Sequence, residues 1–338
     1  MERATHIPLK LWDLFLRDRA DEYKIYVPAR KNGFLDYELI DRTLRSSIVY
    51  NTPKPASPLK LFFLPVKENV TGKSLDEISR QVIVGTPACD LAALGILDEM
   101  YLKPPYIDPY YKARRERTIL IGTDCHDVLE HCHCSTYGVK PYPTRHHDIS
   151  LSVIDDQAYL LVNTEKGEAF LEGMNDFTEP AAIDEEEMEL IQSKRRVTES
   201  ELDQQNEGLP NYEETGELIE HSDDAIWEKY SRDCVSCGAC TAICPTCTCF
   251  LLVDLPGFNK IRQLDACQYP GFARIAGGGD HLRELPERFK NRYKCKYVWK
   301  PEKFESIACT GCGRCIESCI GNINKNEIFM ELASSVEA

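Results

Sequence analysis

Two short apolar runs set the reading of the first half of the chain. RQVIVG (80–85) and RTILIG (117–122) each end at a glycine turn after four or five residues, which predicts short buried strands. After the first comes DLAALGILDEMYL (90–102), where Leu91, Leu94, Ile96, Leu97 and Met100 follow helical spacing. Strand, turn, helix, strand is the pattern of an α/β domain, placed here over residues 1–165. Between 166 and 230 the pattern turns acidic, in AAIDEEEMELIQ and NYEETGELIE, and predicts exposed helices forming a linker. The remainder, 231–338, is expected to be an α-helical domain.

Composition narrows the chemistry. A chain of 338 residues with 43% hydrophobic side chains is long enough for roughly two globular domains. Its longest apolar runs, such as LFFL, fall far short of the ~20 residues of a membrane span. A net charge of −15 argues against nucleic acid as a partner, because phosphate binding needs a basic footprint. ENVTGKS holds a G-K-S, but Lys67 stands where a phosphate loop needs glycine, and GGGD lacks dinucleotide spacing. No nucleophile and base declare a substrate pocket.

Sixteen cysteines change the picture. The opening MERATHIPLK has no apolar leader, so a reducing cytoplasm is expected, where thiolates serve as metal ligands rather than disulfides. Cys234, Cys237, Cys240 and Cys244 follow C-x2-C-x2-C-x3-C with Pro245 behind, the bacterial ferredoxin run. Cys309, Cys312, Cys315 and Cys319 repeat the spacing, with Ile320 in the proline's place. Paired runs predict a two-cluster ferredoxin-type module, and in such modules the fourth cysteine crosses over. One [4Fe-4S] cluster is therefore expected on Cys234, Cys237, Cys240 and Cys319, and a second on Cys309, Cys312, Cys315 and Cys244. About 65 residues lie between the runs, so the 231–338 domain carries a long insert. Within it Arg288, Lys290, Arg292, Lys294 and Lys296 have two readings: they offset cluster charge or meet an acidic partner, or they form a solvated face.

Four further cysteines follow the two predicted strands. Cys89 stands just after the first, Cys125 just after the second, and Cys132 and Cys134 lie in EHCHCSTYG. If the strands are parallel neighbours, their carboxyl ends bring these thiols to one sheet edge. A third [4Fe-4S] cluster is the reading taken forward. A zinc site using one of His126, His131 or His133, or unligated buried thiols, remain open beside it. Cys247, Cys249, Cys267 and Cys295 are left over. Packing as small apolar side chains is preferred for them over a fourth cluster.

PTCTCF, DACQYPGFARIAGGGDHLR, RFKNRYKCK and CTGCGRC, in that order, resemble the beta (iron–sulfur) subunit of soluble sulfhydrogenases and its related counterpart in anaerobic sulfite reductase. VGTPACDLAALGILDEMYL, DPYYKARRERTILIGTDC, the following CHC and PLKLFFLPVKENV are similar to the same family, so the resemblance spans most of 55–325. It implies an electron-transfer subunit that relays single electrons between a flavin subunit handling NAD(P)H and a catalytic subunit of hydrogenase, sulfite reductase or heterodisulfide reductase type. Flavin and NAD(P) are expected on the partner only. An autonomous ferredoxin-like carrier and a redox or metal sensor with structural clusters are the alternatives.

Overall fold

The computed structural model describes residues 4–40, 48–52, 54–72, 74–177 and 179–337, so Met1–Arg3 of the opening segment and Lys73 of the G-K-S lie outside it. Eleven strands are described: β1 (Ala4–Pro8), β2 (Lys24–Lys31), β3 (Phe34–Leu39), β4 (Lys67–Asn69), β5 (Gln81–Pro87), β6 (Thr118–Thr123), β7 (Ile149–Ile154), β8 (Gln157–Val162), β9 (Ala181–Ala182), β10 (Phe250–Leu255) and β11 (Asn259–Leu264). Helices of eight or more residues are α1 (Leu9–Arg19), α2 (Ala88–Leu102), α3 (Pro109–Arg117), α4 (Glu185–Gln205), α5 (Tyr212–Glu220), α6 (Asp224–Ser231), α7 (Leu285–Lys294) and α8 (Lys325–Glu337).

Eight strands form one sheet in the order β3-β2-β5-β6-β7-β8-β1-β9, with β2, β5, β6 and β7 parallel and the outer pairs antiparallel. The two runs read as strands are β5 and β6, and they are parallel neighbours. Both faces are covered. Val82, Val84, Ile119 and Ile121 pack with Trp12, Phe15 and Leu16 of α1, whereas the alternate residues Ile83 and Leu120 pack with Leu91, Leu94 and Leu97 of α2. A strand buried on two faces has no polar alternation, which is why β5 and β6 read as unbroken apolar runs. α2 is likewise apolar nearly all round, as a helix sandwiched in a core must be.

The C-terminal region is mainly helical. α5, α6, α7 and α8 enclose an aromatic core of Tyr212, Trp227, Phe289, Tyr293, Tyr297 and Phe329. Tyr137 enters this core from the N-terminal half and meets Tyr212 edge-on, ring centroids 5.4 Å apart. The acidic stretch 166–230 supplies α4, α5 and α6. Asp184 and Asn211 form capping boxes with Glu187 and Glu214, so part of the acidic charge serves to start helices.

Within the insert FLLVDLPGFNKIRQL forms a hairpin, β10–β11, turning at Pro256–Phe258 and paired with β4 of the N-terminal half. Glu68 on β4 is the buried anchor of that joint. It is bonded to Arg114, and its Oε2 receives Arg262 Nη2 at 2.8 Å, while Arg262 also reaches Asp108. A second buried pair ties the second ferredoxin run to α2: Arg314 Nη1 and Nη2 donate to Asp90 Oδ1 and Oδ2 at 2.6 and 2.9 Å.

Candidate functional site

The two ferredoxin runs fold alike. Gly238 and Gly313, at φ 72° and 73°, each start a one-turn helix, Ala239–Ala242 and Arg314–Glu317, that carries the third cysteine of its run. The two turns pack on each other. A fourth cysteine at the far end of one run therefore arrives beside the first three of the other.

Cys234, Cys237, Cys240 and Cys319 line one cavity, which Cys315 also borders. Cys244, Cys309, Cys312 and Cys315 line a second. Among the described residues, neither wall holds an aspartate, glutamate or histidine. Cys89, Cys125, Cys132 and Cys134 line a third, together with Cys312. Since Cys315 borders the first two cavities and Cys312 the last two, the three stand in a row, with the Cys244 cavity in the middle.

The third cavity is assembled from distant pieces. Cys89 opens α2 directly after β5, and Cys125 follows β6 with its N–H donating to Pro141 O at 2.7 Å. The 131–134 loop is held by His133 N–H donating to Gly311 O at 2.9 Å and by Gln205 and Asn206, both donating to Cys132 O at 2.9 Å. There is no room for a side chain at this contact: a Cβ on Gly311 would stand 2.4 Å from His133 O, and one on Gly313 2.4 Å from His131 O. This close approach puts Cys312 within reach of the N-terminal thiols. Among the described residues no histidine lines the cavity. His133 is buried and turned away, donating from Nδ1 to His131 O at 2.8 Å and accepting from Lys325 Nζ on Nε2 at 2.8 Å.

The donor sets suit iron–sulfur clusters. Soft thiolates in fours are the ligands of zinc or of iron–sulfur centres. Among the described residues no three His, Cys, Asp or Glu side chains converge closely enough for a single ion. Thiols spread round a cavity suit a cubane, whose four irons each take one. Burial pushes the Cys89 and Cys125 thiols well up, and those of Cys134 and Cys312 to about 12, so without metal they are protonated and ligation must displace their protons.

Buried cations surround the thiols. Arg288, Arg292 and Lys296 lie four residues apart and are all buried, so one stripe of the basic segment faces inward, while Lys290 pairs with Asp224 nearer the surface. Arg292 and Lys325 border both the first and the middle cavities. Lys54 Nζ lies 3.6 Å from Cys132 Sγ at the third. The i, i+4, i+8 spacing in RFKNRYKCK was the visible signal for that inward stripe. Nothing comparable marked Lys54, Lys325 or the Arg314–Asp90 pair.

Of the leftover cysteines, Cys247 and Cys267 are buried, and Cys249 and Cys267 stand at the two feet of the β10–β11 hairpin.

Fold and thiol sites together define an iron–sulfur, electron-transport protein of the oxidoreductases. Residues 233–323 match the 4Fe-4S dicluster domain family. Over 321 residues, 91% of this chain and 92% of the relative, the chain is 28% identical to sulfhydrogenase 2 subunit beta of Pyrococcus furiosus. The chain is therefore similar over nearly its whole length to a sulfhydrogenase beta subunit, and its dicluster domain lies at the C-terminal end. Among the described residues no helix is long and apolar enough to cross a membrane.

Proposed function

We propose that this chain relays single electrons between a flavin subunit linked to NAD(P) and a catalytic oxidoreductase subunit, in the cytoplasm, through three [4Fe-4S] clusters. Cys234, Cys237, Cys240 and Cys319 hold the first, Cys309, Cys312, Cys315 and Cys244 the second, and Cys89, Cys125, Cys132 and Cys134 the third. Each cubane, when bound, takes up or gives up one electron at a potential set by burial, local charge and hydrogen bonds to sulfur. The observation that carries the reading is the row of three four-thiol cavities with cysteines common to neighbours. A row has two ends, which is what a conduit between two partners needs. Cys237 is exposed at one of them.

The chain's own residues supply the rest. Arg292, Lys296 and Lys325 offset the thiolate charge of the middle cavity, and the aromatic core of Tyr137, Tyr293 and Tyr297 keeps water from it. The relative is by name one subunit of a larger enzyme, which supports assembly with partner subunits. The test is strictly anaerobic isolation of the tagged chain from its native cell, with iron analysis and mass spectrometry of what accompanies it. The expected result is about twelve irons per chain and a fixed ratio to a flavoprotein and a large catalytic subunit. Isolation alone with redox-active clusters would instead make it an autonomous carrier, and redox-silent clusters would make it a sensor or scaffold.

A further inference from the structure

We propose that Lys296 makes the middle site of the row its most readily reduced station, so that an electron rests there between two outer sites that hold it less tightly. The inference rests on the relay reading above.

Lys296 Nζ donates to Cys244 Sγ at 2.9 Å, to Thr246 Oγ1 at 2.8 Å and to Ala308 O at 3.1 Å. Three acceptors match the three protons of an ammonium group, so the side chain is a full cation. It is 4% exposed, and its field is little screened by solvent. The backbone is shaped to deliver it. α7 passes at Cys295 into a π-helical turn, Cys295–Trp299, of the kind often found at functional sites, and Lys296 continues the inward stripe of Arg288 and Arg292.

Charge around the three cavities is unequal. The middle one is bordered by Arg292, Lys296 and Lys325, with no carboxylate in its wall among the described residues. At the first, Arg292 and Lys325 recur, but no ammonium of the described residues bonds to a cysteine there. At the third, Lys54 lies 3.6 Å from its thiol but is paired with Glu317 at 2.7 Å, Lys140 in the same wall is paired with Glu199, and Asp127 lines that wall as well. One-electron reduction adds one negative charge and neither makes nor breaks a bond. A nearby cation and an N–H···S bond both favour that added charge, and Lys296 keeps its protons throughout.

The test is a redox titration of the anaerobically prepared chain with dithionite, followed by electron paramagnetic resonance, for wild type, Lys296→Met and Lys296→Arg. Wild type is measured first: absence of clusters or redox-silent clusters would end the relay reading itself. With clusters present, one signal should dominate at mild potential. In Lys296→Met, iron content should be unchanged, and that signal's reduced-to-oxidised ratio should fall at least tenfold at the wild-type midpoint, a shift of about 59 mV for one electron. Lys296→Arg should restore most of it. An intact iron count with a ratio altered less than twofold overturns the proposal. If Lys296→Met loses iron, Lys296→Gln takes its place in the comparison, and iron loss there as well makes Lys296 a structural prop and equally overturns it.

Discussion

Replacing Asp90 by Asn should loosen the second ferredoxin run from the α/β half while leaving the shape of the site intact. Asp90 and Arg314 are 0% and 1% exposed, and the guanidinium bonds both carboxylate oxygens and Pro55 O. Asp90 Oδ2 also accepts from Leu59 N–H at 3.2 Å. Amide for carboxylate preserves volume and removes the charge that compensates Arg314. Leaving one buried charge uncompensated costs ~3–5 kcal/mol, which at 1.4 kcal/mol per tenfold raises local opening by roughly 10² to 10³·⁵. Because Arg314 sits between Cys312 and Cys315, the cysteines common to neighbouring cavities, that opening is felt at both junctions of the row. Anaerobic hydrogen exchange should show faster exchange over residues 309–319 and 88–97, with a lower denaturant midpoint. The paired change Asp90→Leu with Arg314→Met should cost less than Asp90→Asn alone, since apolar replacement of both partners strands no charge. Asp90→Asn within about 1 kcal/mol of wild type would refute the assigned role of the pair.

Four other outcomes are expected. Cys240→Ser and Cys125→Ser should each lower the iron count by about four and slow electron flow, whereas Cys295→Ser should leave it unchanged; iron analysis decides, and an intact count in Cys125→Ser removes the third cluster. Gly311→Ala places a methyl 2.4 Å from His133 O at a backbone φ of 65°, so about 2–4 kcal/mol of strain and loss of iron from the third site should follow, read by iron content and hydrogen exchange over 131–134. Arg262→Ala should free the β10–β11 hairpin at a cost of ~2–4 kcal/mol and expose residues 250–264 to limited proteolysis, since Glu68 and Asp108 both lose a cation. For the iron-free chain, thiols held at about 12 against an ordinary value of 9.0 bind protons more tightly folded than unfolded. Their stabilisation is complete below pH 9 and lost as pH rises toward 12, while iron uptake strengthens with pH because ligation displaces those protons; denaturant midpoints and proton release on reconstitution measure the two.

The cysteine runs, their doubling, and the strands β5 and β6 with helix α2 were legible because each rests on local chemistry: ligand spacing and apolar runs leave their mark within a few residues. The parallel pairing that brings Cys89 and Cys125 together entered the sequence reading only as a condition, and the structure supplies it. The hairpin β10–β11 went unread although Pro256 and Gly257 mark its turn, because its strands leave Phe250, Leu251, Leu252 and Leu255 exposed and show no alternation of buried and open positions. The acidic stretch 166–230 announced helices, but not that Arg195 on α4 would be buried against Asp124, or that Thr198 and Leu202 would wall the third cavity.

Sequence alone determined which side chains are suited to hold metal and that β5, β6 and α2 are strand, strand and helix, because those depend on residue type and near spacing. Tertiary structure alone decided the order of the three cavities and the cations around them. Lys54 meets Cys132, Lys325 meets His133 and Arg314 meets Asp90 across separations of 78, 192 and 224 residues. Contacts of that range are set by how the sheet, α2 and the helical core pack, and a buried cation carries no local mark of the partner that will compensate it.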